Sequence, residues 1–263
     1  MVMKRAAILA LTMLLGLNAC KGLPTTSGSE IPEVESHKIF LTDPSKYAAV
    51  RTLDGDRYSA VGALMTPDAS VLGSAVLVHP KAILTAAHCF GDPTRRPLWF
   101  YTQSGQIVMI ERVIIHPAYY ASGVENDIAI CILADKCYEP PVELMKRSSD
   151  LSMNEPLTTV GWSLGYKKVS QPNIMRYYGS LVEDHGSILR ILAMNGSVYF
   201  GDSGGAVFED TGKLCGIIDF LRRDADTGAI LDNGAARIDF HYQWINEVLC
   251  WYLPDSWPWF EGD

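Results

Sequence analysis

The chain carries no excess of positive charge. Its 22 lysines and arginines against 30 aspartates and glutamates leave a formal charge of −8, which argues against a polyanion-binding surface and against nucleic acid as a partner. No histidine and cysteine spacing suggests zinc, and nothing repeats at a fixed period, which excludes repeat architectures. Asp224-x-Asp226-x-Gly228 resembles the start of a calcium loop, but the remaining ligands and the terminal glutamate are missing, so it reads as a surface turn. No metal and no cofactor are expected. The apolar run Ala6 to Leu15 is too short to cross a bilayer.

Cysteine is sparse, six in all, and Cys20 closes the amino-terminal apolar segment. The other five are Cys89, Cys131, Cys137, Cys215 and Cys250. Five is an odd number, so at most two intrachain disulfide bridges can form, and spacing settles no pairing.

What is present is an ordinary globular mixture, 48% hydrophobic and 20% charged over 263 residues, enough for a large core in one or two domains. Strand-like stretches recur at short intervals: Tyr47 to Leu53, Tyr58 to Leu64, Ser70 to Val78, Ala82 to Thr85, Leu98 to Thr102, Gln106 to Ile115 and Ile128 to Leu133. Asp54-Gly55 is a hairpin signal between the first two. A second series runs through Leu157 to Trp162, Met175 to Glu183, Ser187 to Met194, Ala206 to Phe208, Leu214 to Phe220 and Ala235 to Phe240. From Tyr242 to Tyr252, Trp244, Ile245, Val248 and Leu249 fall at helical spacing, a stripe that reads as core or interface. The pattern predicts an all-β fold with a carboxy-terminal helix.

Gly201-Asp202-Ser203-Gly204-Gly205 sets a serine on a sharply turned, accessible loop, which suits a nucleophile. A serine hydroxyl needs a base, an acid to orient that base, and donors for the oxyanion that forms. Leu84-Thr85-Ala86-Ala87-His88-Cys89 offers the base, and Asn126-Asp127-Ile128-Ala129-Ile130 offers the acid. In the order His88, Asp127, Ser203, these blocks resemble the active-site blocks of the chymotrypsin/trypsin family of serine peptidases.

The resemblance covers about residues 39 to 250 and implies two packed six-stranded antiparallel β-barrels, about 39–150 and 151–263, within a domain spanning 39–263. It implies His88 as general base, Asp127 as its orienting acid, Ser203 as nucleophile, and the N–H groups of Gly201 and Ser203 as the oxyanion hole. It also implies protein or peptide substrates, handled by a monomer. Val113-Ile114-Ile115-His116-Pro117 resembles the stretch ahead of the family's acid, where the histidine is not catalytic, and Gly161-Trp162 matches a family turn.

Several positions depart from the family. The cysteine after the family's histidine usually bridges to one sixteen residues earlier, and here 89 − 16 is Gly73. The floor of the specificity pocket is Ser197, which favours an apolar or small residue over lysine or arginine before the scissile bond. Gly216-Ile217-Ile218-Asp219-Phe220-Leu221 matches the family's substrate-pairing strand. Asp219 stands where a serine is usual, and Leu221 stands where a glycine opens the pocket. A second carboxylate beside Asp127 raises one of the two pKa values or demands a donor.

Those departures leave room for a second class, a peptidase-fold binding or scaffold protein that hydrolyses little. A third reading takes Gly201-x-Ser203-x-Gly205 as the elbow of α/β-hydrolases, with Asp219 or Asp232 and His241. That elbow must open a helix, whereas Ala206-Val207-Phe208 and then Glu209-Asp210-Thr211-Gly212 read as a strand into a turn.

Lys4-Arg5, the apolar run and Leu17-Asn18-Ala19-Cys20 resemble a bacterial lipoprotein signal over 1–19, with Cys20 lipidated, a tether over 20–38, and a membrane anchor on the outer membrane facing the periplasm or cell surface. The alternative is a simple secretory signal. Lys38-Ile39 offers a basic residue and an isoleucine where the family is often cut to free an amine for the acid before the nucleophile, but lacks the two glycines found next in the family.

Overall fold

Short apolar runs cut by turn residues become thirteen strands and one α-helix among the residues described by this computed structural model. These are 50–51, 58–92, 96–97, 99–121, 123–147, 151–162, 174–193 and 198–254, of which 50–51, 174–185 and 193 are described by backbone alone. Cys20, the tether, Lys38, Asp54-Gly55, Ser197 and the Trp257-Pro258-Trp259 tail lie outside them.

Strands β2 (Val61–Met65), β3 (Val71–His79), β4 (Ala82–Thr85), β5 (Trp99–Tyr101), β6 (Ile107–Ile115) and β7 (Ala129–Leu133) close into a barrel of order β2-β3-β4-β7-β6-β5. Side chains alternate across a strand, so the run in β7 feeds two cores at once. Ala129, Cys131 and Leu133 join one cluster with Leu77, Ile83 and Phe100. Ile130 joins another with Val76 and Leu84, and that cluster also takes Val160, Trp162, Ala206 and Ile217 from the second sheet. Burial on both faces explains why the run is continuous rather than alternating. Strand β6 does alternate: Val108 and Ile110 are buried, Ile107 and Met109 exposed.

The second sheet holds β1 (Val50–Arg51), β8 (Pro156–Trp162), β9 (Ile174–His185), β10 (Ile188–Ala193), β11 (Ala206–Phe208), β12 (Leu214–Arg223) and β13 (Ile230–Arg237) in the order β1-β9-β10-β13-β12-β11-β8. Strand β8 pairs with β9 as well as with β11, so six of the seven strands close on themselves. The seventh is β1, which the sequence places with the first series and which pairs with β9 instead.

Strand β13 ends at Arg237 and helix α1 (Ile238–Tyr252) begins at once, four residues before the helical spacing becomes evident in the sequence. Ile238, Ile245 and Leu249 are fully buried in the shared cluster, with Trp244 and Val248 partly buried against it. The Ala235 to Phe240 run is therefore divided: its first half belongs to the sheet, its second half to the first helical turn. Asp224 accepts bonds from the Asp226 N–H, the Thr227 N–H and the Thr227 hydroxyl in the β12–β13 turn, so this carboxylate is occupied by its own loop. No helix among the described residues is long and apolar enough to cross a membrane.

The five cysteines outside the amino-terminal segment carry free thiols, so neither of the two bridges that their number allows is formed among the described residues. Cys131 and Cys137 are both buried in the first barrel's core, where they serve as small apolar side chains. Burial pushes the Cys131 thiol above the reactive range.

Candidate active site

Strand β4 delivers the histidine. It runs apolar to Thr85 and stops in a short 3-10 turn, Ala87–Phe90, whose Ala87 and Phe90 drop into the barrel core. Their burial leaves His88 facing outward, with 38% of its side chain exposed. Thr85 pairs with Ala129, which brings the turn ahead of β7 alongside. Asn126 in that turn has φ +58°, an uncommon conformation that asparagine tolerates.

Asp127 is buried and grips the same residue twice. Its Oδ1 accepts the His88 backbone N–H at 2.8 Å and its Oδ2 accepts the ring at Nδ1, 2.6 Å away. Because Nδ1 faces a carboxylate it carries the proton, and Nε2 is left as the basic nitrogen. Burial works against the charged imidazole, but the Cys89 sulfur and the Asp127 carboxylate outweigh it and hold the His88 pKa well above its ordinary value. Asp127 holds a full charge, and the exposed ring is only partly desolvated. Burial raises the Asp127 pKa, and the opposing bonds from His88 and Asp219 win, so it stays below the usual carboxylate range.

The serine loop is pressed against the strand ends that precede His88. Gly201 has φ +97° and Gly204 φ +83°. A Cβ on Gly204 would fall 2.1 Å from both the Ser74 carbonyl and the Thr85 hydroxyl, so only glycine fits. The Ser203 carbonyl accepts the Ser74 N–H at 2.7 Å, and the Ser74 hydroxyl donates to the Gly201 carbonyl at 2.6 Å. Among the described residues, the backbone bonds of this loop use neither the Gly201 nor the Ser203 N–H, which leaves two donors uncommitted.

On the far side the Gly204 N–H donates to the Ile218 carbonyl, 2.7 Å away, and the next residue is Asp219. Asp219 occupies a bulge: Ile218 pairs with Ala235 and Phe220 with Gly234, so one residue of β12 is unmatched and turned aside. It is buried, with Oδ1 3.8 Å from His88 Nδ1. Burial, then the hydrogen bond and charge of Asp127, push its pKa to about 9.

The structure thus gathers His88, Asp127 and Asp219 and sets the Ser203 backbone beside them. Their ligand atoms lie within 4.8 Å of one another, as a cation site requires, but a 2.6 Å hydrogen bond already joins Nδ1 to Asp127.

Leu221 packs partly buried against the second barrel's core, and the Phe220 ring covers Gly234 so closely that a Cβ there would meet it at 2.0 Å. Asp202 is buried. Its Oδ2 accepts the Tyr199 N–H, its Oδ1 has no hydrogen-bond partner among the described residues, and burial raises its pKa to about 8. His116 lies outside this group, edge-to-face with His241 and Trp244.

Two residues escaped sequence reasoning. Ser74 is fully buried and joins three segments through its hydroxyl, which donates to Gly201 and accepts the Trp162 N–H. Its signal was a lone hydroxyl inside the apolar run Val71 to Val78. Tyr119 is partly buried near the acids. Burial and then the charges of Asp127 and Asp219 lift its phenol pKa to about 12, and no local signal marks it.

The sequence profile of the family described as Trypsin matches residues 54–245. The chain belongs to the trypsin family. Rat (Rattus norvegicus) granzyme M is 26% identical over 209 residues, 68% of this chain and 80% of the relative. Bovine (Bos taurus) duodenase-1 is 23% identical over 215 residues, 73% of this chain and 84% of the relative. Serine protease 28 of Mus musculus reaches 32% over 98 residues, 33% of this chain and 36% of its own. A solved structure of mouse neuropsin, a serine protease expressed in the limbic system of the brain, superposes with a TM-score of 0.62 at 19% identity. It spans 76% of this chain and 98% of its own, a likeness of fold.

The α/β-hydrolase reading is excluded by the segment after the serine, where the chain enters strand β11 rather than a helix. Of its two candidate acids, Asp219 lies with His88 and Asp127 instead of His241. Asp232 is bound by Arg190 and Arg222, and His241 is held at the Arg237 carbonyl.

Proposed function

We propose that the protein is a serine endopeptidase in which Ser203 attacks the scissile carbonyl, His88 takes its proton, and Asp127 orients the imidazole. The observation that carries this reading is the double grip of the buried Asp127 on His88, which leaves Nε2 as the free acceptor, while the Ser203 carbonyl is bonded to Ser74 on the strand paired with the one that leads to His88. The uncommitted Gly201 and Ser203 N–H groups suit the oxyanion of the tetrahedral intermediate, where one such donor is worth about 3 kcal/mol. His88 then gives its proton to the departing amine, and a water, deprotonated by the same nitrogen, releases the acyl group.

The family resemblance assigns Ser197 to the pocket floor and Leu221 to its mouth, a pair that favours a small or apolar residue before the cleaved bond. The unpaired Oδ1 of buried Asp202 suits a cation, and an amine freed by cleavage after Lys38 would supply one. We further propose export as a lipoprotein, with Cys20 lipidated and the domain facing the periplasm or cell surface; membrane-bound Cys20→Ser protein of unchanged mature mass would contradict this.

A serine-directed fluorophosphonate tests the central reading. Stoichiometric labelling that vanishes in Ser203→Ala is expected, and its rate rises with pH as His88 loses its proton, with a midpoint above 6.5. A folded, processed chain that never labels would leave a binding or scaffold protein.

A further inference from the structure

Aspartate at 219 sets a second carboxyl group against the acid that orients the histidine. Two carboxylates with oxygens in the same small pocket cannot both stay charged without a cation, and none of the groups facing them supplies a lasting one. His88 approaches from the 3-10 turn, with Asp127 from the turn before β7. Cys89 stands beside His88, and Tyr119 lies in the loop between β6 and β7. Among the described residues, no lysine or arginine is among the leading charges acting on either acid. Among these described groups only the His88 imidazole can become positive, and it must be neutral to act as a base.

Geometry separates the two acids. Asp127 has both oxygens engaged by N–H donors of His88. Among the described residues Asp219 receives no such donor: its Oδ1 stands 3.8 Å from Nδ1, beyond a hydrogen bond, and its Oδ2 is buried without a partner there. Protons settle on the acid with fewer donors, because hydrogen bonds to the charged form favour ionisation and burial opposes it. The bulge in β12 fixes this arrangement, turning Asp219 toward Asp127.

We propose that Asp219 is a positioning residue, carried as the neutral acid, that donates its carboxyl proton to Asp127 and sets the upper pH limit of the site by losing it. The proton sits between two carboxyl groups that bear one negative charge together. When it leaves, the two charges repel, Asp127 is displaced from His88 Nδ1, and the base loses its orientation. The pKa of about 9 at Asp219 and the low value at Asp127 agree with this division. The kinetic consequence rests on the peptidase reading; the proton location does not.

Two measurements separate them. In the full-length chain with Ser203→Ala, aspartate carboxyl-carbon NMR follows Asp219, its resonance identified by its loss in Asp219→Asn. The expected result is a neutral carboxylic acid at pH 7 that titrates near 9, and a carboxylate already charged at pH 7 overturns the proposal whether or not the protein labels.

With the native serine, fluorophosphonate labelling is followed against pH. The expected rate drops about tenfold per pH unit above the Asp219 midpoint, as for loss of one essential proton. Asp219→Ala lowers labelling at neutral pH, Asp219→Asn restores part of it through a permanent N–H donor, and neither shows the alkaline fall. An alkaline fall that persists in both variants overturns the proposal. A neutral Asp219 in a chain that never labels sinks the peptidase reading and leaves the shared proton standing.

Discussion

Gly73 shows how one residue can remove a family feature and leave its geometry intact. Where the family has a cysteine, a Cβ built on this glycine stands 2.9 Å from the Cys89 sulfur. In a disulfide, the Cβ of one cysteine lies about 3 Å from the sulfur of the other, so the backbone is already placed for the bond. Gly73→Cys is therefore expected to form a bridge to Cys89 under oxidising conditions without strand movement. The same Cβ would lie 2.9 Å from the Ser203 carbonyl, so a few tenths of an ångström must be absorbed there. Loss of two titratable thiols per chain with an unchanged fold is the expected outcome. Two thiols that stay reactive would show the loop to be displaced from this arrangement.

Helix α1 does more than cover the shared core. His241, on its first turn, donates through Nδ1 to the Arg237 carbonyl at 2.6 Å, which leaves its unprotonated Nε2 facing the Asn126 side-chain oxygen at 3.2 Å, one residue from Asp127. The helix thereby packs against the turn that presents the acid. Burial, opposed by the Arg237 carbonyl, lowers the His241 pKa from 6.5 to about 4. A histidine depressed in the fold binds fewer protons than in the unfolded chain, so its stabilisation is intact above 6.5 and lost as pH falls toward 4. The loss is expected to reach about 3 kcal/mol by pH 4. Urea unfolding between pH 7 and 4 measures it, and His241→Asn should flatten that part of the profile. An unchanged acid slope in the variant would assign the loss to other groups.

At the scale of the whole molecule, Asp202 places an acid in the core behind the serine loop. Its pKa, raised by burial from 3.8 to about 8, means the folded chain holds a proton that the unfolded chain has released. Stability from this group is complete below 3.8 and drains away as pH climbs through 8. Asp202→Asn should reduce the slope of urea titrations from pH 4 to 9 by this share and leave the share of Asp219, the amide replacing a carboxyl that is neutral anyway. If a chain cut after Lys38 lodges its new amine on Asp202, the native slope should shrink in the cut form alone. A slope that Asp202→Asn leaves unchanged in both forms would place a cation on Asp202 already.

Local chemistry announced the triad blocks, the strand periodicity and the terminal helical stripe, because each is written in consecutive residues. Gly201-Asp202-Ser203-Gly204-Gly205 needs Gly204 and Gly205 because a Cβ there would fall 2.1 Å and 2.4 Å from neighbouring oxygens, and an apolar run such as β7 has to be apolar when both its faces are buried. The attachment of β1 to β9, the start of α1 at Ile238, and the joining of three segments at Ser74 were decided by tertiary structure. So was the fate of Asp219, whose charge depends on a carboxylate 92 positions away along the chain (219 − 127) brought close by a bulge. Chain order can state which side chains exist; only folding sets the distances and the burial on which their charge depends.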